Sequence, residues 1–481
     1  MSHGQRLVWV QISLIVLLGA CASVATAGDT WPTWRGPDTM GISLEGNPPV
    51  EWSETKNIKW KVKLTGDASN SSPVIWGDKI FFQTAVDTKI KDTTPTPTPA
   101  PMSRPGSSAA GARPGGMERR GTGGGPGGSG RASRPGGGRG FHGFGGGTPT
   151  TQYKFNLVCL DRKTGKLLWE ETVCQAKPHQ GHHKDHGFAS FSPTTDGELV
   201  WAMYGSRGMY CYDVNGKKIW SQELPQMTTM FGEGGAPTVA GKAVIVLADQ
   251  RGESFIFAFD KKTGDLLWKK ARDEATSYAT PMPVTVDGRQ QVIVSATSFI
   301  RSYDVQTGEV IWQCSGQTRN VIPTPVIGSG MVYCTSGFMG SALQAIKLGR
   351  TGDLTDSDAV VWEVKQATPY VPSPLLYDGR LYVCSVSKEI ISCYDARTGK
   401  AHFVKQKMDE MKGVYASPTA AAGRIYFVGR EGVSTVLKPS DQYEVLAVNT
   451  LDDKFDCSPA FVGDEMFLKG KKHLYCISAS Q

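Results

Sequence analysis

The 481-residue chain lacks the short signatures by which catalysis is usually recognised. It has no Gly-x-Ser-x-Gly elbow, no His-Glu-x-x-His helix and no phosphate-binding loop. It has neither a Cys-x-x-Cys metal knuckle nor a Cys-x-x-Cys-His haem attachment. Beyond one N-terminal stretch there is no long apolar run, so no transmembrane helix is expected. Charge of one sign is scarce too, once it is located. The formal net charge is +7, but residues 93–150 hold seven arginines and one glutamate, hence +6. The rest is close to neutral, which gives no reason to expect nucleic acid as a partner.

What the chain does have is a phrase repeated eight times, a small residue followed by proline. It reads Asn-Ser-Ser-Pro at 70–73, Ser-Phe-Ser-Pro at 190–193, Gly-Gly-Ala-Pro at 234–237 and Tyr-Ala-Thr-Pro at 278–281. It continues as Ile-Pro-Thr-Pro at 322–325, Val-Pro-Ser-Pro at 371–374, Tyr-Ala-Ser-Pro at 415–418 and Asp-Cys-Ser-Pro at 456–459. Proline cannot donate to a sheet ladder, so it belongs at the first residue of a strand. Alternating apolar runs follow, then in most copies an Asp-x-x-Thr-Gly turn and a tryptophan. Strand-like content repeating every 40 to 50 residues or so predicts an eight-bladed β-propeller with four-stranded antiparallel blades.

The Asp/Gly turns fall at Asp161/Gly165, Asp260/Gly264, Asp304/Gly308 and Asp395/Gly399, with tryptophans at 169, 220, 268, 312 and 362. Those aromatics read as packing between blades. Phe403 takes the tryptophan's place in the sixth unit, and the seventh unit is degenerate around Val445–Val448. The eighth unit stops after its third strand, Leu474–Ile477. Ile58–Val62, with Trp60, is free to supply the fourth and close the ring, which removes an open sheet edge. The whole of 57–481 is expected to be one domain, preceded by an extension over 28–56 and a signal peptide over 1–27.

Arg6 precedes an apolar run over 7–20, and Ala25-Thr26-Ala27 suits a signal peptidase. Leu18-Gly19-Ala20-Cys21 also suits a lipobox, which would make Cys21 a lipid anchor; simple cleavage after Ala27 is the preferred expectation. Either route places the protein in the periplasm or cell envelope. The other nine cysteines read as unpaired. Cys159, Cys211, Cys393 and Cys476 occupy one equivalent position in different third strands, and Cys334 and Cys384 one in second strands, too far apart to bridge. Cys174 and Cys314 follow tryptophan strands and also lack an evident partner. Residues 88–152 read as a disordered Gly/Pro/Arg-rich insertion in the first blade.

Chemistry concentrates in the connection over 177–192. It holds His179, His182, His183, His186 and Asp185, residue types that ligate transition metals. The alternative is a surface loop whose imidazoles bond backbone and water. The other connections of this kind bring Glu233, Tyr278, Arg319, Asn320, Tyr370, Tyr415 and Asp456 to the same mouth, where a peptide, a saccharide or a small acid could bind.

The Asp-x-x-Thr-Gly-x-x-x-Trp repeat resembles the pyrroloquinoline-quinone-type propeller repeat. The opening Trp31-Pro32-Thr33-Trp34-Arg35-Gly36-Pro37 and Gly41-Ile42-Ser43 look like the start of exported PQQ-like repeat proteins of the planctomycete kind. The resemblance covers about 31–87 and 153–481. It is shared by quinoprotein alcohol dehydrogenases and BamB-like assembly lipoproteins, so it leaves enzyme and scaffold both open. The dehydrogenases commonly carry adjacent cysteines over the quinone and a calcium ion beside a catalytic aspartate. This chain has no Cys-Cys pair, and the calcium set finds no match, so quinone is not expected. The resulting expectation is an exported binding or assembly scaffold for an envelope protein, peptide or saccharide. The alternative is a periplasmic oxidoreductase of the quinone-dependent kind, or a metal-dependent enzyme using the His loop.

Overall fold

A computed structural model describes residues 27–66, 69–94, 146–385 and 389–479. Residues 1–26 of the expected signal segment, Cys21 among them, and the tract 95–145 lie outside the described residues. Eight antiparallel sheets succeed one another along the chain as the blades of a propeller. Blade two is representative: Thr194–Thr195 innermost, then Leu199–Met203, Met209–Asp213 and Lys218–Gln222 outermost. The middle strands are almost wholly buried, because each is sandwiched between neighbouring blades. The outer strand is half exposed and alternates. The apolar core is accordingly divided among blade interfaces, for example Met209, Trp220, Val244 and Phe257 between blades two and three. No blade buries its own faces alone, so the ring is one unit.

Ring closure runs as the sequence implies. Ile58–Lys63 pairs with His473–Ile477, in register Ile58↔Ile477, Trp60↔Cys476 and Val62↔Leu474. In the first blade Lys79–Lys91 and Thr151–Asp161 pair as far as Lys91↔Thr151, so strand structure reaches into both ends of the segment read as insertion. All nine described cysteines are free. Cys159, Cys211 and Cys476 each stand opposite a blade tryptophan, and Cys393 opposite Phe403, the shared register that kept them apart.

The turn and the tryptophan turn out to be two halves of one joint. In blade one, Asp161 Oδ1 accepts from Thr164 N at 2.8 Å and from its hydroxyl at 2.6 Å. Gly165 closes the turn at φ 71°. The indole of the preceding blade lies flat on that glycine, and Trp60 Nε1 donates to Arg162 O at 3.0 Å. Trp169, Trp268 and Trp362 donate to Val214 O, Val305 O and Ala396 O in the same way. Where the receiving turn changes, the joint changes with it. Blade five replaces its turn by a longer excursion, and Trp312 Nε1 is left without a partner. Blade seven has no Thr-Gly there, and Phe403 meets Tyr443 instead.

The residues before the prolines form a belt round the axis. Backbone N–H groups of Ser72, Thr280, Thr324, Ser373, Ser417 and Ser458 each donate to the hydroxyl of the next blade's equivalent residue, at 2.9–3.1 Å. Ala236 interrupts the belt. A short parallel pairing of Gly234–Gly235 with Ser190–Phe191 bridges that gap.

The N-terminal extension fills the channel. Thr30–Trp31 adds to the innermost strand of blade one, and Ile42–Ser43 runs parallel to that of blade seven. Between them Arg35 is 1% exposed and meets no carboxylate. Its guanidinium donates to Met40 O at 2.7 Å, Pro374 O at 2.9 Å and Pro418 O at 3.4 Å, and burial pushes its pKa down to about 9. Trp34 Nε1 donates to Thr280 Oγ1 at 3.2 Å, the hydroxyl that Ala236 precedes in the belt.

Candidate functional site: a cup at the propeller mouth

With the channel filled from one side, the other side is left as a cup of about 1120 Å³. Trp34 and the belt hydroxyls of Ser72, Ser192, Thr280, Thr324, Ser373 and Ser458 line its inner end. Its rim is built by two sets of loops, those between blades and those between the second and third strands within a blade. In a four-stranded meander both sets open on the same face.

One wall is aromatic. His183 meets Phe231 edge-on at 5.8 Å, Phe231 meets Phe338 edge-on at 5.7 Å, and Phe338 stacks on Tyr370 at 4.9 Å. Asn320 sits beneath at φ 56°, its amide donating to Tyr370 Oη at 2.6 Å. Tyr278 lies nearby, and Met339 stands out on the rim at 76% exposure.

The facing wall is an ionic network. Arg430 donates to Asp456 at 2.6 and 3.3 Å, pairs with Asp185 at 3.1 Å, and lies 3.8 Å over the Tyr415 ring. Lys471 pairs with Asp456 at 3.1 Å and also meets Asn70 Oδ1. Asn70 in turn donates to Asp185 O at 3.0 Å.

Six of the seven residues placed at the mouth from sequence line this cup: Tyr278, Arg319, Asn320, Tyr370, Tyr415 and Asp456. Glu233 does not. Its side chain turns into a separate cavity of about 30 Å³, behind the His loop. There Oε2 accepts from Ser206 N and Oε1 from Ser206 Oγ, both at 2.6 Å, with His179 Nε2 at 3.5 Å. Burial drives the Glu233 carboxyl up to about 7. It follows a glycine at φ 112° whose carbonyl is tied to Thr229, and this local fold reverses its direction.

The His loop is not gathered round a common point. His179 Nε2 bonds Met227 O at 2.7 Å, His182 Nδ1 bonds His183 O at 2.7 Å and His186 Nδ1 bonds Gly187 O at 2.9 Å. Burial pushes His186 down to about 4. His183 Nδ1 lies 3.7 Å from Asp185 and accepts from its backbone N–H. Only His183, Asp185 and His186 reach the cup. Among the described residues no group of three or more His, Cys, Asp or Glu side chains is disposed to hold a metal ion.

Sequence reasoning missed Arg251, Phe338 and Arg430, all on loops within blades, and Trp34 on the channel-filling segment. The signal was available in the topology: the within-blade loops open on the same face as the connections between blades.

A family model described as outer membrane protein assembly factor BamB matches residues 153–400. The chain belongs to this family. A quinohemoprotein alcohol dehydrogenase from Comamonas testosteroni is 9% identical with a TM-score of 0.56, covering 95% of this chain and 82% of its own. The dehydrogenase ADHIIG from Pseudomonas putida HK5 is 9% identical with a TM-score of 0.51, covering 94% and 80%. BamB from Moraxella catarrhalis is 15% identical with a TM-score of 0.49, covering 66% and 91%. At such identities the dehydrogenases speak for the fold alone. No curated protein matches. Among the described residues no helix is long and apolar enough to cross a membrane.

Proposed function

We propose that this BamB-family chain is an exported binding and assembly scaffold of the cell envelope, and that it engages a partner protein through the cup. The observation that carries the reading is the lining itself. It is wide, aromatic on one side and polar and charged on the other, the composition of a recognition surface. The family description, an outer membrane assembly factor, supports a protein partner and an envelope location.

The reading leaves quinone and metal out. In support, the two lining carboxylates, Asp185 and Asp456, are already committed to Arg430 and Lys471. Three of the loop's imidazoles are committed to backbone carbonyls. The chain also has no adjacent cysteines. The residues present therefore do not fit a calcium–quinone centre, and no chemical step is assigned to one. Metal analysis and calorimetric titration with quinone plus calcium test this. The reading expects neither to bind stoichiometrically, before or after His182→Ala/His186→Ala substitution. Stoichiometric binding of either overturns it in favour of the enzyme.

A further inference from the structure

The charges of the cup are unevenly satisfied. Its two carboxylates are both paired, by Arg430 and Lys471. Two further guanidiniums on the lining, Arg251 and Arg319, are both exposed, and neither is in an ion pair or a side-chain hydrogen bond with another described residue. Their backbones are nevertheless held. Arg251 N donates to Thr228 O at 2.9 Å, and Asn320, next to Arg319, donates through its N–H to Thr297 Oγ1 at 3.0 Å. Two fixed positions thus carry unspent positive charge on the side of the mouth that also carries Phe231, Phe338 and Tyr370. The inner end can bind in either sense. Each lining belt hydroxyl accepts one backbone N–H or, at Thr280, the Trp34 indole N–H, and keeps its O–H to donate beside one remaining lone pair. The unpaired charge and the aromatic wall set the preference, so a ligand suited to this lining is negatively charged and partly apolar.

We propose that the cup takes an extended acidic segment of a partner polypeptide. An Asp or Glu carboxylate pairs with Arg251 and Arg319, and a neighbouring aromatic or aliphatic side chain packs on Phe231, Phe338 and Tyr370. The proposal rests on the scaffold reading and adds the partner's chemistry to it. Three observations favour a peptide over a compact acid. The volume, about 1120 Å³, exceeds the usual range for small-molecule sites of roughly 300–1,000 Å³. The two arginines stand on the rim, where a chain passing over it is met. Met339 and Phe338 present the adaptable and aromatic surface typical of polypeptide anchors. Arginine forks also match carboxylates in planar, two-point fashion.

The test uses the full chain and two pools of synthetic decapeptides. One is drawn from Glu, Asp, Phe, Leu, Ser and Gly. The other is identical, with Lys and Arg in place of the acids. Binding is read by fluorescence anisotropy at two salt concentrations, with benzoate and glutarate as small-acid controls. The acidic pool is expected to bind at least ten-fold more tightly than the basic pool. Arg251→Gln/Arg319→Gln should remove that preference and most of the salt dependence while leaving the melting temperature unchanged. Phe338→Ala should weaken the acidic pool without abolishing its preference over the basic one. Equal binding of both pools overturns the acidic preference but leaves a partner-binding cup standing. Insensitivity to the double substitution, binding by neither pool, or small acids binding as tightly as the peptides each overturns the proposal.

Discussion

Glu233 shows how one side chain ties the mouth to the frame. Its carboxylate holds Ser206 of blade two and, through His179 and Gln180, the loop that carries His183 and Asp185 into the cup. Because burial raises its pKa to about 7, the folded state binds that proton more tightly than the unfolded chain does. Its contribution to stability is complete below about pH 4.5 and is lost as pH rises through about 7. Glu233→Gln should therefore flatten the fall in stability across that window by about 3 kcal/mol, as measured by urea unfolding from pH 4 to 8. His179, pushed down by burial, has the opposite slope, and the difference between wild type and variant isolates the carboxylate. An unchanged slope would show that Glu233 is solvated. Its mouth position was the one misplacement among the seven sequence-derived residues. Nothing in Gly232-Glu233-Gly234 says which way a chain with two free-turning glycines will aim its single side chain.

At the scale of the element, the repeat is legible because sequence and packing share one device. Each Asp-x-x-Thr-Gly turn receives an indole from the blade before it; where the turn is lost the joint is lost, leaving Trp312 Nε1 without a partner and Phe403 in the tryptophan's place against Tyr443. Gly399→Ala tests the joint. The position lies at φ 70°, and an added Cβ would stand 2.6 Å from the Trp362 ring. A loss of roughly 2–3 kcal/mol is expected from the strained backbone and the displaced ring together. A loss below about 0.5 kcal/mol would mean the indole is loosely held. The closing strand was legible for the same reason, since Trp60 is the last blade's missing tryptophan. The channel-filling role of 28–56 was not. Its strands are two residues long, and its anchors are backbone carbonyls of Pro374 and Pro418 that no pattern in 28–56 announces.

At the scale of the molecule, that segment turns a ring with a hole into a vessel with a closed end. Arg35 is its pin, a buried cation satisfied by carbonyls alone. Arg35→Ala should cost about 2–4 kcal/mol, because the carbonyls of Met40, Pro374 and Pro418 lose their donor. Arg35→Lys should recover only part of that, since a single ammonium cannot reproduce the guanidinium fork. Thermal unfolding of both variants checks the order. The fold and the face on which the cup opens could be read from the repeat, but the satisfaction of charge across the cup could not. It depends on Arg430 and Lys471 reaching Asp185 and Asp456 from different loops.

The most direct test of partner docking at the cup is site-specific photo-crosslinking in the native envelope. One photoreactive residue would replace Met339 on the rim, another Val445 on the outer edge of blade seven, 44% exposed and far from the mouth. The account predicts one discrete protein adduct from position 339, absent from position 445 and reduced by Phe231→Ala. An adduct from position 445 alone, or none from position 339, would contradict it.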